Sequence, residues 1–177
     1  MKKTSAELVE AAATSQLALR DLRTALGSYA TGVTIISTYG ADGQPVGITV
    51  NSFASLSLEP PLILWSLNAE SPSRSTFDAA THFAVNVLAA DQTALSRRFA
   101  TRTAHKFKDV PIAQGQTNVP VLEGCAAIFE CRRQTAYEAG DHRLYIGLVE
   151  HYRAMPERAP LLFHLGHYRD LGPLIER

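Results

Sequence analysis

Between Gly47 and Trp65 two β-type apolar runs, Ile48-Thr49-Val50 and Leu62-Ile63-Leu64, bracket a stretch dense in short hydrogen-bonding side chains that closes on Pro60-Pro61. β-branched residues favour strands, and proline has no N–H for a ladder, so the diproline ends one strand and opens the next. Side chains alternate along an extended segment, which puts Thr49 and Asn51 on one face and Ile48, Val50 and Ser52 on the other. An amide and a hydroxyl aimed together beside a sheet suit a flat polar ligand. The same groups can also simply satisfy strand edges and a turn.

The rest of the chain sets this segment in a mainly β frame. Residues 4 to 30 read as helical, with an Ala/Leu-rich arm over residues 1–18 and then Leu19, Leu22, Leu26 and Tyr29 at helical spacing. Strands are expected over Val33–Thr38, Val46–Phe53 and Leu62–Leu67, with Asp42-Gly43 as a hairpin turn between the first two. A helix should start with Ser71 as N-cap and Pro72 at its first position. A strand follows over His82–Leu88, then a helix from Asp91 carrying Leu95 and Phe99 on one side. Thr101–Thr117 reads as a long loop, of the kind that often carries function. Strands over Cys125–Tyr137, Arg143–Tyr152 and Pro160–Leu165 complete six or seven antiparallel strands with helical decoration, which suggests a closed β-barrel in one domain over residues 19–177.

A chain of 177 residues can bury about 70% of its unfolded surface without a metal or disulfide staple. Its 17 Lys+Arg balance 17 Asp+Glu, so no net field argues for nucleic acid or an anionic membrane. Cys125 and Cys131, six apart in an apolar run, should share one strand face as buried free thiols, too far apart to bridge. With no apolar stretch of membrane-spanning length, a soluble cytoplasmic protein is expected. His164 and His167, three apart on a strand, should face opposite sides and offer no metal site. His82, His105 and His151 read as surface or strand-edge residues. No phosphate loop, nucleophile elbow or Rossmann glycine motif is present in the sequence.

Three further groups suggest ligands. Ser71, Ser73, Arg74, Ser75 and Thr76 crowd a helix start with hydroxyls and a cation, suited to phosphate or to plain capping. Gly140-Asp141-His142 precedes a strand and reads as turn chemistry or a site edge. Arg98-Phe99-Ala100 and Lys106-Phe107 offer aromatic packing and a cation, or a core residue and a solvated lysine.

Taken together, Ala30-Thr31-Gly32-Val33, Gly47-Ile48-Thr49-Val50-Asn51-Ser52-Phe53, Glu59-Pro60-Pro61-Leu62 and Gly140-Asp141-His142 followed by Gly147-Leu148-Val149 resemble, in order and spacing, the short-chain flavin reductases. These are the reductase components of two-component flavin-diffusible monooxygenases, and the resemblance spans roughly Leu19 to Leu171. It implies an FMN-binding split barrel, an antiparallel Greek-key β-barrel that reduces FMN or FAD with NADH or NADPH. It also implies a homodimer that supplies a separate monooxygenase. Thr49, Val50, Asn51, Ser52, Ser55, Leu56 and Ser57 would hold the flavin ring, and Ser71, Ser73, Arg74, Ser75 and Thr76 its phosphate. Phe99, Lys106, Phe107 and Tyr168 would surround it, while His142 lines the redox face and Asp141 orients that turn. Hydride transfer needs mainly stacked reactants about 3–3.5 Å apart, so His142 is not required as an acid. The alternatives are a barrel of the same kind that retains its flavin for another acceptor, and a non-catalytic binding barrel.

Overall fold

The computed structural model describes residues 18–103 and 105–173. Most of the proposed arm at residues 1–18 therefore lies outside the described residues. Residues 18–27 form helix α1, and short strand β1 (Thr31–Gly32) follows.

The β-branched run of β2 (Thr34–Tyr39) turns at Gly40–Gln44 into β3 (Pro45–Val50), as Asp42-Gly43 led us to expect. Gly43 takes φ of 74° in that turn, a conformation glycine adopts without Cβ strain. β3 ends at Val50 rather than Phe53, and a strand the sequence did not suggest, β4 (Ala54–Leu58), precedes β5 (Pro61–Asn68). Helix α2 (Arg74–Ala79), β6 (His82–Val87) and α3 (Thr93–Ala100) come next. The expected long loop contains β7 (Ile112–Gln114), which pairs with β8 (Pro120–Leu122). Long strands β9 (Ala127–Ala139) and β10 (His142–Ala154) form a hairpin, and β11 (Leu162–His164) and β12 (His167–Arg169) end the described fold.

Seven strands pair antiparallel in the order β3-β2-β6-β9-β10-β5-β4. The expected closed ladder is not formed, because β3 and β4 remain as its two edges. The sheet curls so that the two sides of the gap are stapled by one side chain. Ser52, just beyond β3, accepts the Ser66 N–H at 2.9 Å and donates to the Ser66 carbonyl at 3.1 Å on β5.

Both faces of the sheet are covered, as the alternation of neighbouring residues demands. Ile35, Ala84, Ile128, Phe99 and Cys125 belong to one buried cluster, packed under α3 and the β7–β8 hairpin. Ile36, Val85, Trp65, Phe77, Tyr145 and Cys131 belong to the other. The two free cysteines thus lie in different clusters, not on one strand face, because Cys125 precedes the start of β9. His164 and His167 are cross-strand partners at the β11–β12 turn rather than residues of one strand. Among the described residues, no three metal-ligating side chains gather at one point, and no helix is long and apolar enough to cross a membrane.

Candidate active site

The gap beside β3 opens into a cleft of about 1240 Å³. That exceeds the roughly 300–1,000 Å³ typical of a site for one drug-sized ligand, so it has room for a large cofactor with a second molecule. One wall is β3 with Asn51 and Ser52, and another is Ser66–Asn68 of β5 with Ser71, Ser73 and Thr76 around the start of α2. Residues 100–103 and 105–108 close a third side, and His142 stands at the rim.

β3 is paired on one side only, so alternate backbone groups point away from β2. The Gly47 carbonyl, taken by Lys106 Nζ at 3.1 Å, marks that outward set, to which Thr49 belongs two residues on. The edge strand therefore presents main-chain donors and acceptors to the cleft. The Thr49 hydroxyl itself is committed elsewhere, donating to the Ser96 carbonyl of α3 at 2.8 Å. Ser52 is likewise spent on the staple to β5. Val50 packs against the second core cluster and lines the cleft edge. Asn51 is exposed at the mouth of the gap and has no hydrogen-bond partner among the described residues.

Lys106 also donates to the Phe99 carbonyl at 2.8 Å, satisfying the open end of α3, and burial lowers its pKa from the ordinary lysine value. It binds the loop to the β3 edge while lining the cleft. Phe107 lines the cleft and meets Phe99 edge-on, with ring centroids 4.8 Å apart. Close packing of these rings needs Gly47: a Cβ there would come within 2.7 Å of the Phe99 ring.

The His142 turn is built by the β9–β10 hairpin, in which His142 pairs with Ala139 across Gly140 at φ of 63°. Asp141 and His142 Nδ1 are 2.7 Å apart, an arrangement in which Nδ1–H donates to the carboxylate and leaves Nε2 available. This hydrogen bond, followed by the imidazole's charge, holds the Asp141 carboxyl below its ordinary value.

Several expected positions fall elsewhere. Ser55, Leu56 and Ser57 lie on β4, the far edge of the ladder, outside the cleft of a single chain. Helix α2 starts two residues late for Ser71 to cap it. Pro72 sits inside a turn closed by Arg74 N–H on the Ser71 carbonyl, and Ser73 becomes the N-cap without a side-chain capping bond. Arg74 points away from the cleft into an ion-pair network with Asp78 and Glu138, as its i,i+4 spacing from Asp78 allows. Ser75 is exposed on a second, shallower depression. Phe99 is fully buried core. Tyr168 bonds Ser96 through its hydroxyl at 2.9 Å and so braces α3 behind Thr49.

Sequence reasoning missed Gln44 and Asn68 on the cleft walls, and Arg102, His105 and Lys108 in the loop. The loop cations were the legible part: four basic or imidazole side chains fall between Arg102 and Lys108, next to the aromatic Phe107. Gln44 and Asn68 carry no local signal, since only the curl of the sheet brings them together.

Residues 26–172 match the model of the flavin reductase like domain. The chain belongs to the flavin reductase family. It is 49% identical over 130 residues to the FMN reductase (NADH) SmoA of Agrobacterium fabrum, covering 73% of this chain and 74% of that one. It is 39% identical over 151 residues to the reductase component of the flavin-dependent trigonelline monooxygenase of Acinetobacter baylyi, spanning 85% of this chain but 47% of that relative. The NADH:FAD oxidoreductase SgcE6 of Streptomyces globisporus, solved with NAD and FAD fragments, superposes with a TM-score of 0.82 at 35% identity, over 86% of this chain and 92% of that one. The architecture is therefore the split barrel of this family, with its split between β3 and the far edge of the sheet.

Proposed function

We propose that the cleft binds a flavin, FMN or FAD, together with NADH, and that this flavin reductase releases reduced flavin to a separate monooxygenase. The observation that carries the reading is the open β3 edge facing His142 across one cleft large enough for both ligands. The residues fit the group. Main-chain donors and acceptors of β3 and the Asn51 amide match the polar edge of a flavin ring, and Phe107 and Val46 offer apolar contact. Ser71, Ser73 and Thr76 opposite the Arg102–Lys108 loop supply hydroxyls and cations for phosphate. When bound, a flavin supplies the hydride acceptor for reduced nicotinamide. The chain's own part is to orient the two rings and shield them. Asp141 holds the His142 ring at the cleft rim through Nδ1, leaving Nε2 unengaged, without moving a proton in the reaction. SmoA's name favours NADH as donor, and the trigonelline enzyme's name favours a monooxygenase as consumer. Buried free thiols suit a reducing cytoplasm.

Steady-state oxidation of NADH and NADPH with and without FMN, FAD and riboflavin tests this reading. NADH consumption should need added flavin, saturate with it and leave the flavin exchangeable. His142→Ala should raise the KM for NADH while the flavin Kd, read by fluorescence quenching, holds. A protein that purifies yellow and refuses exchange retains its flavin, and one that ignores NADH in excess flavin is not a reductase. Loss of flavin binding in His142→Ala would assign the turn to the wrong ligand.

A further inference from the structure

Beneath the His142 turn lies an ion-pair network that the site as described does not use. Arg143 lies between two carboxylates, with Nη1 donating to Glu138 Oε1 at 2.7 Å and Nε in an ion pair 2.6 Å from Asp78 Oδ1, though its N–H is not aimed at that oxygen. Arg74 reaches the same two acids, Asp78 at 3.4 Å and Glu138 on the same oxygen. The Tyr145 hydroxyl donates to Asp78 at 2.9 Å, and burial first, then this carboxylate, raises the phenol's pKa. Asp78 and Arg74 belong to α2, whose start carries Ser73 and Thr76. Glu138 and Arg143 are cross-strand partners one pair below the Gly140-Asp141 turn. Alternation along β10 puts Arg143 and Tyr145 on the face toward α2 and His142 on the other, toward the cleft.

We propose that Arg143 is a positioning residue, tying the hairpin that carries His142 to α2 so that the imidazole is held in place at the rim of the cleft. This rests on the reading of His142 as the nicotinamide-side residue. A purely stabilising ion pair needs one acid. Contact with acids on two elements is what a spacing device requires: the planar guanidinium is oriented by its hydrogen bond to Glu138 on β9, and that orientation sets its charge against Asp78 on α2, which a freely rotating lysine ammonium would not do. Arg143 and Asp78 are also the shielded part of the network, 21% and 29% exposed at the side chain, so their geometry is less free than that of a surface pair. From the other side the turn is anchored to β5 by the Ala69 N–H donating to the Asp141 carbonyl at 2.9 Å. Arg143 is thus one of three contacts that join the hairpin to α2, beside Arg74–Glu138 and Tyr145–Asp78, and not the turn's sole support.

The test compares Arg143→Met, Arg143→Lys, Glu138→Gln, His142→Ala and the double variant Arg143→Met/His142→Ala. Each is measured for thermal midpoint, flavin Kd by fluorescence quenching, and the NADH dependence of turnover. Arg143→Met should raise the KM for NADH about tenfold, the scale of one lost charge-assisted contact, with flavin Kd held within about twofold. Arg143→Lys and Glu138→Gln should fall between it and the parent, and the double variant should be no worse than His142→Ala alone. The inference fails if Arg143→Met leaves the KM unchanged, weakens flavin as much as NADH, or multiplies with His142→Ala, and in those cases the reading of His142 stands. If His142→Ala itself leaves NADH use unchanged, that reading fails and the inference falls with it. Should Arg143→Met not fold, Glu138→Gln at the exposed carboxylate carries the same comparison.

Discussion

At the scale of single residues, hydroxyls and amides that look equivalent in the sequence divide into two kinds. Thr49 and Ser52 are spent inside the fold, on the Ser96 carbonyl and on both main-chain groups of Ser66, whereas Asn51 between them is free at the cleft mouth. The partners that make the difference lie 47 and 14 residues away, beyond any local pattern. Asn51→Ala should therefore weaken flavin binding about tenfold to a hundredfold, as loss of one or two ligand hydrogen bonds does, while turnover at saturating flavin changes little. Fluorescence titration of a folded variant with parental affinity would make Asn51 a bystander. The Asp141–His142 pair was readable as a turn with an acid and an imidazole, and the structure adds which nitrogen the acid occupies.

At the scale of elements, what could be read followed the length and strength of the pattern. The β2–β3 hairpin, β6, the β9–β10 pair and α3 all appear where periodicity and the Asp42-Gly43 turn put them. Strands β4, β7, β8 and β12 were missed because three to five residues make no periodic signal, and each exists through its partner strand. The start of α2 was misplaced because Ser71-Pro72 is as good a turn as a helix start. Closure by a single staple yields a prediction of its own. Ser52→Ala leaves the Ser66 N–H and carbonyl without this partner and should cost about 1–3 kcal/mol of stability by urea unfolding. A smaller flavin effect than that of Asn51→Ala should accompany it. An unchanged denaturation midpoint would mean that solvent replaces the hydroxyl and that the gap is held by other contacts.

For the whole molecule, the two thiols report on the core from its two clusters. Burial raises both Cys125 and Cys131 from 9.0 to about 12. A group with a raised folded pKa adds stability that is fully present below its unfolded value, so that contribution should hold below about pH 9 and disappear as the pH climbs towards 12. Native protein at pH 8 should accordingly react with a thiol reagent only as fast as it unfolds, and rapid labelling of either cysteine would contradict that burial. Apolar side chains outside the core point to assembly: Leu56 and Leu58 on β4 are 47% and 91% exposed, and Leu22, Leu26 and Tyr29 are also open to solvent. A homodimer that covers them is expected, and a sedimenting mass of one chain with activity intact would exclude it.

The open side of β3 has a consequence beyond recognition. A row of unsatisfied main-chain groups accepts any extended segment, and the chain guards this one lightly, with Pro45 removing one donor at the strand's start and Lys106 occupying one acceptor. On the proposed reading, a flavin ring bound there would stand in for the missing neighbour strand. Cofactor supply would then bear on quality control: a cell short of flavin would hold not merely an idle reductase but one with an open strand edge uncovered.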